Sequence, residues 1–137
     1  MIKDQVVIAG IGQTAFGKNL PDTELSLACQ AISLALDDAG IEPKEVDGLA
    51  SSVMELNREV DVARNVGFGE ITFFSQISYG GGAACGTLLH AAMAVATGQA
   101  RVAVAWRARK RSAKTSRPWA QMPERISNHW QWSRPFG

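Results

Sequence analysis

Tyr79-Gly80-Gly81-Gly82-Ala83-Ala84-Cys85-Gly86 is the segment that most restricts the folds open to this chain. It follows Ile71-Thr72-Phe73-Phe74-Ser75-Gln76-Ile77, a run rich in β-branched and aromatic residues that reads as a strand. It leads into Thr87 to Thr97, a helical stretch of Leu, Ala, Met and Val closed by Gly98. Arg101-Val102-Ala103-Val104-Ala105-Trp106 then reads as the next strand. Strand, glycine turn, helix and strand in this order predict a parallel pair joined by a right-handed crossover. The helix is apolar on nearly every side, which predicts burial between two layers.

The same alternation extends upstream. Gln5-Val6-Val7-Ile8-Ala9-Gly10 predicts a first strand. Pro21-Asp22-Thr23-Glu24 supplies a helix start, and Leu25, Ala28, Cys29, Ile32, Leu36 and Ala39 then recur at helical spacing up to Gly40. Val46 to Ala50 reads as a short strand or extended link, and Asn57 to Val66 as a polar-capped helix. Beyond Trp106 neither period holds. A structureless stretch of some 30 residues is unusual in a compact domain, which predicts a truncation inside a larger fold. Residues 1–106 therefore form one unit, a partial α/β domain, and residues 107–137 a basic, Trp-rich segment.

Charge marks the same border. Residues 1–106 carry six Lys/Arg against twelve Asp/Glu, whereas residues 107–137 carry eight Lys/Arg against Glu124 alone. All four tryptophans fall at or beyond Trp106. No apolar stretch reaches the roughly 18–20 residues of a membrane span, and the start has no signal-peptide pattern, so a cytoplasmic protein is expected. Cys29 and Cys85 have no CxxC spacing, which points away from a disulfide framework and from zinc.

Several motifs bear on chemistry. Gly10-Ile11-Gly12-Gln13-Thr14-Ala15 matches a dinucleotide fingerprint, but Phe16 to Pro21 intervene before the helix and no strand-end acid follows about 20 residues on. A tight strand exit is the better reading. The glycine turn at Gly80 to Gly82 is a stronger signal, because it lets a ligand or a second chain approach backbone N–H groups left unpaired at a helix start. Such groups can hold a thioester oxygen or an enolate; room for a neighbouring subunit is the alternative. Cys85 is about one turn too deep to be the nucleophile and reads as a packed thiol, as does Cys29 on its apolar stripe. His90, alone in an apolar helix, reads as a hydrogen-bonded core histidine, and His129 receives no role. The basic tail from Arg107 through Arg109, Lys110, Arg111 and Lys114 to Arg117 fits docking onto the acidic body or a partner, or contact with coenzyme A phosphates. No nucleic-acid fold accompanies it.

Taken together, Val7 to Gly17, the helix end Ala35-Leu36-Asp37-Asp38-Ala39-Gly40, and Val46-Asp47-Gly48-Leu49 resemble the N-terminus of the thiolase superfamily. Glu70 to Ser75, Tyr79 to Cys85 and Ala91 to Gly98 resemble one branch of it, the bacterial lipid-transfer-protein group, which is similar to the thiolase part of sterol carrier protein x and includes steroid side-chain aldolases. The resemblance implies a thiolase-like layered α/β/α half with a mixed sheet, here only its N-terminal part. It also implies a homodimer paired through Arg101 to Trp106 and a small partner subunit with zinc-ribbon and OB-fold domains.

A thiolase nucleophile precedes the glycine closing its helix by 17 residues, and that spacing from Gly98 lands on Gly81. The resemblance therefore implies no cysteine nucleophile and no catalytic side chain within this chain. Thiolytic cleavage needs an acyl-enzyme, which glycine cannot form. Retro-aldol cleavage of a steroid-CoA thioester to propionyl-CoA and a 17-ketosteroid does not. Tyr79, Gly80, Gly81, Gly82 and Ala83 are the expected substrate-binding residues, with coenzyme A thioester as substrate and no resident cofactor or metal. Proton-transfer tyrosines are implied beyond residue 137. A non-catalytic acyl-CoA or sterol carrier and an acyltransferase using Cys85 are the alternatives.

Overall fold

In the computed structural model residues 2–17, 19–78 and 82–110 are described. Helix α1, Glu24–Ala39, starts where Thr23 accepts the Ser26 N–H at 3.0 Å and ends at Gly40, whose φ of 65° is the left-handed conformation of a glycine cap. Its inward stripe is Leu27, Ala28, Ile32 and Leu36. A 3₁₀ turn, Pro43–Glu45, then feeds strand β1, Gly48–Ser52, which is buried at every position. Helix α2 is Glu59–Val66, strand β2 Phe73–Ile77, helix α3 Ala83–Ala96 and strand β3 Ala103–Ala105.

The sheet order is β2-β1-β3 and both pairings are parallel. Gly48 faces Phe73 on one side and Ala103 on the other, and Ala50 likewise lies between Ser75 and Ala105. Ser75 bonds His90 of α3, so these register partners share the face that α3 covers. Leu49 points the other way, into a core with Leu27, Ile32 and Leu36 of α1, Val46, Val62 of α2, Trp106 and Ala108. The chain moves from β1 to β2 on one side, then returns across β1 to reach β3. That reversal places a crevice beyond the C-terminal ends of β1 and β3.

Three expectations are corrected. The apolar run at residues 5–10 is extended but forms no strand among the described residues. Instead it lies along α1: a β-carbon at Gly10 would meet Ala35 and Ala39, and one at Gly12 would meet Ala31 and Ala35. Its other side is open, with Val7, Ile8, Ile11 and Phe16 between 76% and 88% exposed. Among the described residues the sheet is wholly parallel, where a mixed sheet was expected. Finally, α3 begins at Ala83 rather than Thr87 and is covered on one side only: Ala83, Thr87, Ala91 and Ala94 are buried, while Leu88 and Leu89 are about half exposed. The helix is apolar all round, but the described chain supplies a single layer against it. Strands expected at Ile71 to Ile77 and Arg101 to Trp106 shorten to Phe73–Ile77 and Ala103–Ala105.

Candidate functional site at the strand ends

The crevice predicted by the topology is present. A cleft of about 160 Å³ is lined by Ser52 at the end of β1, Ala84, Thr87 and Leu88 of α3, and Ala105, Trp106 and Arg107 at the end of β3. A larger groove of about 550 Å³ runs along α1 to Asn65 of α2, but no charged side chain lines it and it lies away from the strand ends. The smaller cleft has the chemistry.

Helix geometry supplies one part of it. Among the described residues the first intrahelical bond runs from the Gly86 N–H to the Gly82 carbonyl, and the N–H groups of Ala83, Ala84 and Cys85 have no described acceptor. Ala84, in that first turn, lines the cleft near the positive end of the helix dipole. Thr87 turns its hydroxyl back to the Ala83 carbonyl at 2.7 Å. Ser52 is 5% exposed and makes no side-chain hydrogen bond to a described residue. Arg107 is exposed at the rim.

Two carboxylates, half-buried Asp47 and buried Glu55, hold this frame. The Asp47 main-chain carbonyl accepts from Thr72 and Phe73 ahead of β2, and its carboxylate accepts from the N–H groups of Arg101 and Val102 ahead of β3, each at 2.9 Å. Desolvation pulls the Asp47 carboxyl up, but the hydrogen bonds from Val102 and Arg101 outweigh it and hold the group below its usual range. At the other end of the strands Glu55 accepts the Ala108 N–H at 2.6 Å and both the N–H and the amide of Asn57. Ala108 is drawn into the core, and this fixes Trp106 and Arg107 beside Ser52. Arg109 turns inward, 3.4 Å from the Met54 carbonyl and 3.9 Å from Glu24.

Of the residues expected to bind substrate, Gly82 caps α3 and Ala83 is buried in its first turn. Tyr79, Gly80 and Gly81 lie outside the described residues, as does the segment 111–137 with His129. Cys85 sits within the first turn of α3 and is exposed, not packed; it does not line the cleft. Cys29 is half-buried, and burial pushes its thiol up. His90 bonds the Ser75 hydroxyl through Nδ1 at 2.7 Å, as a core histidine should. Ser52, Thr87 and Arg107 as neighbours escaped the sequence reading; the one signal for Ser52 was a small polar residue ending an apolar strand. No group of three His, Cys, Asp or Glu among the described residues is placed to hold a metal. No helix there is long and apolar enough to cross a membrane.

No family profile matches the chain. Over 108 residues the chain is 57% identical to the 17-hydroxy-3-oxo-4-pregnene-20-carboxyl-CoA lyase of Mycobacterium tuberculosis, covering 79% of this chain and 28% of that protein. Over 101 residues it is 57% identical to the steroid side-chain-cleaving aldolase of Thermomonospora curvata, covering 74% of this chain and 26% of that one. The solved Ltp2-ChsH2(DUF35) aldolase superposes with a TM-score of 0.78 at 48% identity, over 95% of this chain and 33% of the other. The chain is similar to steroid side-chain-cleaving aldolases. It spans about a quarter to a third of their length.

Proposed function

We propose that this chain is the front part of a thiolase-like aldolase that cleaves a steroid-CoA thioester by a retro-aldol route without a cysteine nucleophile. The observation that carries the reading is the start of α3: Ala84 of its first turn lines the cleft, and no cysteine among the described residues does. The named activities of the relatives support the substrate class.

In this reaction a base takes the proton of the β-hydroxyl, the Cα–Cβ bond breaks as the ketone forms, and its electron pair passes to the thioester as an enolate. Protonation at Cα then gives propionyl-CoA, and the 17-ketosteroid leaves. The Ala83 and Ala84 N–H groups hold the enolate oxygen, together with the turn Tyr79-Gly80-Gly81-Gly82 that precedes them. The base comes from the longer protein, as tyrosines beyond residue 137. A DUF35-type partner with zinc-ribbon and OB-fold domains completes the assembly, a reading supported by the composite solved aldolase. Two copies pair through residues 101–106, the segment that ends in the edge strand β3.

The test is cleavage of a β-hydroxy steroid-CoA thioester, followed by mass spectrometry, with the chain alone and co-expressed with a DUF35-type subunit. Release of ketone and propionyl-CoA supports the aldolase. Bound, uncleaved thioester would instead favour a carrier.

A further inference from the structure

Among the described residues Glu55 is the only charged residue that is buried, 5% exposed. Its Oε2 accepts the Ala108 N–H at 2.6 Å, and its Oε1 accepts the Asn57 N–H at 3.1 Å and the Asn57 amide at 2.5 Å. Every partner donates, so both oxygens must accept. A glutamine would turn its NH2 against either the Ala108 N–H or the Asn57 donors. What the carboxylate holds is the chain leaving β3. Trp106 and Ala108 are buried, and Arg107 between them is exposed. The Arg109 guanidinium adds a second tie to the same loop, 3.4 Å from the Met54 carbonyl. Arg107 is the only charged residue, among those described, that lines the cleft beside the start of α3.

We infer that Glu55 is a positioning residue for coenzyme A: its carboxylate fixes Ala108, and through it Arg107, so that the guanidinium meets a phosphate at the rim while the acyl end lies toward the start of α3. The inference rests on the proposed thioester site. A substrate of that class carries its fixed negative charge on the coenzyme A phosphates, and the cleft offers one cation to receive it. Because the buried bond sets the Arg107 backbone beforehand, little of its freedom is lost on binding, and more of the ion-pair attraction appears as affinity. The side chain itself is exposed, so the contact is screened by salt.

The test titrates the full chain with propionyl-CoA and with propionyl-pantetheine, which lacks the phosphates, at two ionic strengths. Arg107→Ala should weaken propionyl-CoA binding several-fold at low salt and leave propionyl-pantetheine unchanged. Glu55→Gln should reproduce that pattern, and the double variant should be no worse than Arg107→Ala alone, because the two residues act as one unit. Asp47→Asn, which loosens the opposite ends of the strands, should leave the difference between the two ligands intact. Glu55→Asp keeps both acceptors but falls one carbon short of the Ala108 N–H, and it takes the place of the glutamine variant if that one does not fold. A folded Glu55 variant, or Arg107→Ala, that binds propionyl-CoA as the unaltered chain does overturns the inference. So does a Glu55 variant that loses affinity for both ligands alike, or whose loss adds to that of Arg107→Ala. In each of these cases the thioester site stands. If neither ligand binds the unaltered chain, the site and the inference fall together.

Discussion

Gly12 lies so close to Ala31 that a β-carbon on the glycine would overlap the Ala31 carbonyl oxygen. Gly10 stands in the same relation to Ala35, one helical turn along α1. Two glycines two residues apart share one side of an extended chain, and alanines four apart share one side of a helix. The G-x-G spacing is therefore explained by backbone-to-helix contact. Ile11, between the glycines, donates its N–H to Asp38 at 2.9 Å and anchors the segment.

Gly12→Ala should destabilise the fold by about 1–3 kcal/mol, the usual cost of overpacking a close contact. Gly82→Ala is the matched control: its φ of −69° suits alanine and a β-carbon there meets nothing within 4 Å. It should be neutral or stabilise by about 0.4–1 kcal/mol. Thermal unfolding of the two variants separates the cases, and equal melting points would contradict the contact.

Asp47 ties the entries of β2 and β3 to that of β1, and its loss should be felt through pH. In the folded chain its carboxyl lies below its usual range, because hydrogen bonds from Val102 and Arg101 outweigh desolvation. The unfolded chain therefore takes up the proton first as pH falls. Its stabilisation is complete above the unfolded value of about 3.9 and is lost as pH drops through the folded one. Arg101 is mostly exposed, so the backbone N–H groups carry most of the effect. Asp47→Asn should cost about 1.5–3 kcal/mol near neutrality. In denaturant titrations at pH 7 and pH 3 the gap from the unaltered protein should narrow at the lower pH.

The sequence carried the helices well. Thr23 and Gly40 bound α1 where capping chemistry predicts, because these signals are local. Strand partnership was less legible. The run at residues 5–10 has strand composition, yet pairing depends on which neighbour is present, and two glycines commit it to α1. The helical apolar pattern of α3 was plain, but it could not show that the described chain covers only one side. At the site, α3 starts at Ala83 next to Gly82, ahead of the Thr87 start that the sequence predicts. Ser52 and Arg107 were hidden because 55 residues separate them, and only the crossover from β2 across β1 to β3 brings them to one cleft.

The two cysteines should differ in reactivity without either being essential. Cys85 is exposed in the first turn of α3, whereas Cys29 is half-buried with its thiol pushed up by burial. Thiolate is the reactive form, so iodoacetamide near pH 8 should modify Cys85 before Cys29, as read by peptide mass spectrometry. Cys85→Ser should keep cleavage activity within about twofold, because its side chain does not line the cleft. A loss of several orders of magnitude would return the acyltransferase reading.

Arg107 and Arg109 are two residues apart yet should fail in different ways. Arg107 is exposed at the rim of the cleft beside Ser52, with no ion-pair partner among the described residues. Arg109 is largely buried, bonded to the Met54 carbonyl and 3.9 Å from Glu24. One Glu24 oxygen is buried without a hydrogen bond among the described residues, and removing Arg109 takes away the cation 3.9 Å from it. The start of α1 offsets part of that charge through the helix dipole. Arg109→Ala should therefore cost about 1–2 kcal/mol of stability. It should leave the salt dependence of CoA-thioester binding unchanged. Arg107→Ala should leave stability within about 0.5 kcal/mol and weaken binding several-fold at low salt, with the difference fading as salt screens the charge. Melting curves and titrations at two ionic strengths decide it. If both variants lose affinity alike with unchanged stability, the segment meets the ligand as one basic arm rather than through Arg107 alone.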